Sequence, residues 1–75
     1  MSEEKKDLTL GEKRARVKFN PSNNEVIHLI KSKAAELINL VSDIESYNEE
    51  AVRIKEFAIK DIESASMWAI RAVYT

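Results

Sequence analysis

Two stretches with a helical period dominate the chain. In the first, apolar positions fall at Ile27, Ile30, Ala34, Leu37, Val41 and Ile44, with alternating spacings of three and four. That is the heptad seam of a helix laid against a partner helix. Val26, Leu29 and Leu40 add a second row and widen the apolar face beyond what one partner requires. In the second stretch Ala51, Ala58, Ala65 and Ala72 recur every seven residues, flanked by Ile54, Ile62, Trp68 and Ala69. Small side chains at such a repeat let two helix axes approach closely. This side is therefore expected against the first helix, leaving Phe57, Ile59, Ile70 and Val73 for other subunits. Residues 64–75 are apolar on almost every side, leaving only Ser64, Ser66, Arg71 and the terminus for water. A helix that is apolar all round has to be enclosed. A chain of 75 residues cannot enclose it alone, so the pattern predicts a homo-oligomer with this segment at its centre.

The boundaries follow from local signals. From Arg14 to Phe19 polar and apolar residues alternate, the period-2 signature of an extended segment. Asn20-Pro21 ends it. Ser22-Asn-Asn-Glu25 then fits a capping box, and Asn20 as N-cap with Pro21 at the first helical position fits as well, so the first helix is expected to start near residues 21–23. It gives out around Ser46-Tyr47-Asn48, where Ser46-x-x-Glu49 supplies a second capping box. Residues 1–10 are charged, hold little to bury and are expected to fray. The predicted organisation is a flexible charged arm over 1–13 and a helical-hairpin domain over 14–75. Its fold class is all-α: an antiparallel two-helix hairpin behind an N-terminal extended arm, assembled as a homo-oligomer.

Composition narrows the chemistry. Without cysteine the chain has no disulfide or thiolate site, and its single histidine cannot build a zinc site alone. It contains no apolar run of membrane-spanning length and no signal-peptide pattern, so no membrane partner is expected. No Gly-rich loop, His-x-x-x-His or Ser/His/Asp set points to catalysis or a cofactor. His28, Asp61 and Glu63 read as surface groups. The net charge of -1 is unevenly divided. Residues 11–33 carry Lys13, Arg14, Arg16, Lys18, Lys31 and Lys33 against Glu12 and Glu25, whereas residues 34–75 are acidic. A local positive zone on an acidic chain suggests an anion met at one place rather than adhesion to long nucleic acid.

Within that zone Arg14, Arg16, Lys18, Lys31 and Lys33 border Phe19, a combination suited to phosphate and base recognition. The plain alternative is solubilising surface charge. Arg71 is costly on an enclosed helix unless it is paired or faces a polar cavity. Glu63 or Glu56 of a neighbour could pair with it, or a ring of Arg71 side chains around a symmetry axis could hold a multiply charged anion. Trp68 and Met67 are expected in the core.

Three runs also carry a family resemblance: Arg16-Val-Lys-Phe-Asn-Pro-Ser22, the segment Ile30–Ile38, and Ala65-Ser-Met-Trp-Ala-Ile-Arg-Ala72 with a terminal Thr75. Together they resemble the phage anti-CBASS cyclic-nucleotide sponges, which are grouped with the hairpin domain of the anti-Thoeris sponges. The resemblance implies a homo-hexamer of hairpins that sequesters, without cleaving, the cyclic di- and trinucleotides of bacterial defence (such as cyclic GMP-AMP and cyclic tri-AMP) in the host bacterial cytoplasm. It implies a cyclic dinucleotide site with Lys31 on the phosphates, Lys33 two residues beyond, Phe19 stacked on a base, and Arg16 where some members carry a tyrosine. It places Arg71, with Asn20, at a separate cyclic trinucleotide site. The residues alone leave open a small nucleic-acid-binding protein using its basic arm, or a purely structural hairpin.

Overall fold

The structure, a computed structural model, describes residues 8–18 and 24–75. It contains three helices, α1 (Leu10–Ala15), α2 (Glu25–Ser42) and α3 (Glu49–Val73), and no strand among those residues. The hairpin of two long helices is present as α2 and α3. Among the described residues of the expected extended arm, Arg14 and Ala15 are helical and Arg16, Val17 and Lys18 form a turn.

Thr9 sets the start of α1 through a reciprocal cap. Its hydroxyl accepts from the Glu12 amide at 3.1 Å, and its own amide donates to Glu12 Oε1 at 2.8 Å. These bonds satisfy amides that a helix start leaves open. The helix closes at Arg16, which takes the left-handed conformation (φ 56, ψ 48) while its amide donates to the Lys13 and Glu12 carbonyls. The alternation from Arg14 to Lys18 is thus a helix end and a turn, since a good cap and a docking surface outweigh a short period-2 pattern. Residues 10–13, expected in the flexible arm, belong to the same helix.

Asn24, rather than Ser22, caps α2: its side-chain oxygen accepts from Val26 at 2.8 Å and Ile27 at 3.1 Å. The helix therefore starts at Glu25, later than expected, and the Ser22 and Asn20-Pro21 signals lie outside the described residues. At the far end α2 stops at Ser42 with no basic residue in its last turn. The missing cation comes from α3, where Lys55 Nζ donates to the Ser42 carbonyl at 2.9 Å and the Ile44 carbonyl at 2.7 Å. Asn48 caps α3 by accepting from Ala51 at 2.8 Å, whereas Ser46 donates to the Ile44 carbonyl and makes no capping box.

Lys55 meets the end of α2, and Ile62 packs on the cluster of Ala15, Ala34 and Ala35, so the two long helices run antiparallel. On α2 the buried row is Ile27, Lys31, Ala34, Ala35 and Ile38, the last wholly buried. The heptad seam is displaced: Leu37 is 47% and Ile44 55% exposed. Two elements contact α2, and α1 draws its buried face round toward Ala35. On α3, Ala51 and Ala58 are half-buried, but Ala65 and Ala72 are exposed. A straight helix drifts by about 20° per heptad, which carries a seven-residue row off its partner. Ile59, expected to serve another subunit, is instead buried within the chain, as is Ser66. Trp68, expected in the core, is 67% exposed, and Phe57, Met67 and Leu40 are also more than half exposed.

Candidate functional site

Arg16, at the close of α1, lies near enough to Lys31 for its charge to act on the ammonium. Lys31 lies on the buried face of α2 with 6% of its surface accessible, whereas Arg16 is exposed at the left-handed turn. Burial pushes the Lys31 ammonium below the usual lysine range, and the positive charge of Arg16 pushes it further. A partly desolvated ammonium within reach of a guanidinium charge adds to the local positive field. Such a field favours an anion.

The other sequence candidates lie elsewhere. Lys33 is exposed, and two residues of α-helix turn it about 200° from Lys31, so it is not brought to the pair. Lys18 is exposed in the turn after α1. Phe19 and Asn20 fall outside the described residues. Arg14, grouped with the cations on sequence grounds, turns toward α3. Its NH1 meets Glu56 Oε2 at 3.1 Å, and its NH2 and Nε meet Glu63 Oε1 at 3.0 and 3.1 Å. The hydrogen bond to Glu63, with that to Glu56, raises the guanidinium further above its usual range, despite some desolvation. Arg14 is a brace between helices.

Arg71 lies at a separate place. It is exposed near the end of α3, with its guanidinium carbon 5.7 Å from the Trp68 ring centroid. Ser64, Met67, Trp68 and Arg71 line a shallow groove of about 230 Å³. A guanidinium over an indole face presents a cation on a flat apolar platform. The carboxylates considered as neighbouring partners for Arg71, Glu56 and Glu63, are engaged by Arg14 of the same chain. His28 is exposed, with a ring nitrogen 3.4 Å from the Ser32 hydroxyl. Among the described residues no group of His, Asp and Glu is arranged to hold a metal ion, and no helix is long and apolar enough to cross a membrane.

Sequence reasoning missed the residues that hold α1 in place. Asn39 accepts from the Gly11 amide at 2.7 Å and donates to the Thr9 hydroxyl at 3.1 Å, tying the cap of α1 to α2. The signal for α1 was present as Thr9-x-x-Glu12.

The family described as Acb2/Tad1, hairpin domain, matches residues 12–74. The chain belongs to this family. The Acb2/Tad1 match spans both long helices and all of α1 but its first two residues, so Arg16, Lys31, Lys33 and Arg71 all lie within it. It is the anti-CBASS and anti-Thoeris sponge family that the C-terminal run resembles. No curated protein and no solved structure matches the chain.

Proposed function

We propose that this Acb2/Tad1 hairpin protein is a phage anti-defence sponge that binds cyclic di- and trinucleotide messengers of CBASS immunity in the infected bacterium and holds them without cleavage. Membership of the family over residues 12–74 carries this reading. The buried Lys31, within reach of the Arg16 charge, supports placing the cyclic dinucleotide there. Each messenger carries a phosphodiester charge per nucleotide. Lys31 supplies a partly desolvated ammonium to one phosphate, and Arg16 a forked donor or a stacking plane to the next phosphate or base. Phe19 is assigned to base stacking. Lys33, on the other side of α2, contributes only across a subunit boundary. Arg71, with Asn20, is assigned to the cyclic trinucleotide, and the Arg71–Trp68 groove supports that assignment.

Assembly belongs to the same proposal. Trp68, Met67 and Phe57, each more than half exposed, favour self-association, and a homo-hexamer completes the pockets between protomers. A thermal-shift panel of cyclic di- and trinucleotides tests the reading. A ligand at 100 times its Kd should stabilise the protein by about 2.7 kcal/mol. The ligand released by heating should be chemically unchanged. No shift across the panel, or recovery of linearised ligand, contradicts the proposal. A strongly salt-dependent affinity for duplex DNA or RNA would favour the nucleic-acid-binding alternative.

A further inference from the structure

The site proposed above depends on where Arg16 stands, and Arg16 closes a helix of only six residues. So short a helix has no stability of its own, and its orientation is set by what anchors it. On the α2 side the anchor is backbone contact, with Gly11 against Ala35 and its amide on Asn39. On the α3 side Val17 and Ile62 pack on a shared cluster, but the directional link is Arg14. Glu56 and Glu63 are seven residues apart, about two turns along one face of α3. Arg14 engages both from between, directing NH1 to one and Nε with NH2 to the other. A forked guanidinium can span two carboxylates in this way, whereas a point-like ammonium can satisfy only one in fixed geometry. Arg14 precedes Arg16 by two residues, and between them Ala15 is buried. A tilt of α1 about its α2 contact would therefore displace Arg16 relative to α2.

We propose that Arg14 is a positioning residue for the anion site: by bridging Glu56 and Glu63 it clamps α1 across the hairpin and so sets where Arg16, two residues on, stands relative to α2 and Lys31. The inference rests on the sponge reading and adds to it a residue that acts through Arg16 without touching ligand. A bridge that only stabilised the fold would lower the unfolding midpoint but leave the affinity of the folded protein unchanged.

The test is a double-mutant cycle on the full chain, with 3′,3′-cyclic GMP-AMP as probe and affinity measured by calorimetry well below each unfolding midpoint. Arg14→Gln and Arg16→Gln should each weaken binding on the order of tenfold, and the double variant should bind no more weakly than Arg16→Gln alone. Glu56→Gln with Glu63→Gln, which leaves Arg14 in place but removes its anchors, should reproduce the Arg14→Gln loss. Arg14→Lys should fall between it and wild type. Unchanged affinity in Arg14→Gln, or losses that multiply in the double variant, would overturn the positioning role while leaving the sponge reading intact. Failure of wild type to bind this or any other cyclic dinucleotide would remove the cyclic dinucleotide site, and the positioning role with it; failure with cyclic trinucleotides as well would remove the sponge reading. Should Arg14→Gln not fold, the Glu56→Gln, Glu63→Gln variant decides the same question.

Discussion

Gly11 rests so closely on Ala35 that a Cβ added at position 11 would lie 2.0 Å from the Ala35 carbonyl oxygen and 2.8 Å from Asn39 Oδ1. Neither the backbone of α2 nor the hydrogen-bonded Asn39 can yield cheaply, so α1 must lift off α2 to accept any side chain. Gly11→Ala should destabilise the protein by about 1–3 kcal/mol, the usual cost of overpacking. Amide exchange in α1 should accelerate while the α2–α3 hairpin keeps its protection. Loss of protection throughout the chain would mean that α1 is integral to the hairpin rather than docked on it.

Lys31 carries the charge that the proposal assigns to a ligand phosphate. Its ammonium is desolvated in the folded chain and feels the Arg16 charge, and Lys31→Met, close in volume and without charge, removes both penalties. The same substitution should weaken cyclic dinucleotide binding at least tenfold, since a charge-assisted hydrogen bond contributes about 1.5–3 kcal/mol. A large fall in midpoint would show that Lys31 is chiefly a packing and hydrogen-bonding element.

The same group sets a pH dependence. The folded-state pKa of Lys31 lies below its unfolded value, through desolvation first and the Arg16 charge second. At pH below both values the folded state bears the full penalty of a buried cation. Stability of the free protein should therefore rise as pH climbs from the lowered folded value to the ordinary lysine value. Affinity for the anionic ligand should fall over the same interval, because the proton that pairs with phosphate is lost. Binding should take up protons there. Lys31→Met should flatten both profiles; wild-type profiles that match those of the variant would contradict the assignment.

Arg71 and Trp68 should fail separately from Lys31. Arg71→Ala is expected to weaken cyclic trinucleotide binding on the order of tenfold and to leave cyclic dinucleotide binding within a factor of about two. Calorimetric titration of both ligands against both variants, with sedimentation to confirm an unchanged assembly, reads this directly. If Arg71→Ala abolishes both ligands or only dissociates the assembly, the two-site assignment fails.

Lys55 closes the hairpin by donating to the Ser42 and Ile44 carbonyls at the end of α2. Lys55→Met keeps the aliphatic stem but leaves these acceptors to water. Chemical denaturation should report a loss of about 1 kcal/mol with ligand affinity unchanged.

The long helices were legible because apolar periodicity sustained over many residues is the mark of an amphipathic helix and of little else. Where their buried faces point was less so. A heptad count treats a straight helix as though it had 3.5 residues per turn, and it cannot anticipate α1 covering Ala35 and Asn39. Ile38 and Ile59 therefore proved to be core, while Leu37 and Ile44 did not. The extended arm was misread because six alternating residues from Arg14 weigh little against the Thr9-x-x-Glu12 cap just upstream. In the candidate site Arg16 and Lys31 were identified from residue type and resemblance, but their proximity depends on a left-handed turn at Arg16 that no local propensity announces. Arg14 shows the reverse difficulty. Nothing in the sequence distinguishes it from its basic neighbours, and only the fold sets it between two carboxylates.

The central claim is that this chain captures cyclic oligonucleotides intact, with Lys31 on their phosphates. Its most direct test is calorimetric titration of cyclic GMP-AMP into wild type and Lys31→Met, followed by heat release and chromatography of the bound ligand. Saturable binding by wild type, at least tenfold weaker binding by the variant, and recovery of unaltered cyclic ligand are expected. Equal affinities for the two proteins, or no saturable binding to wild type, would contradict the account.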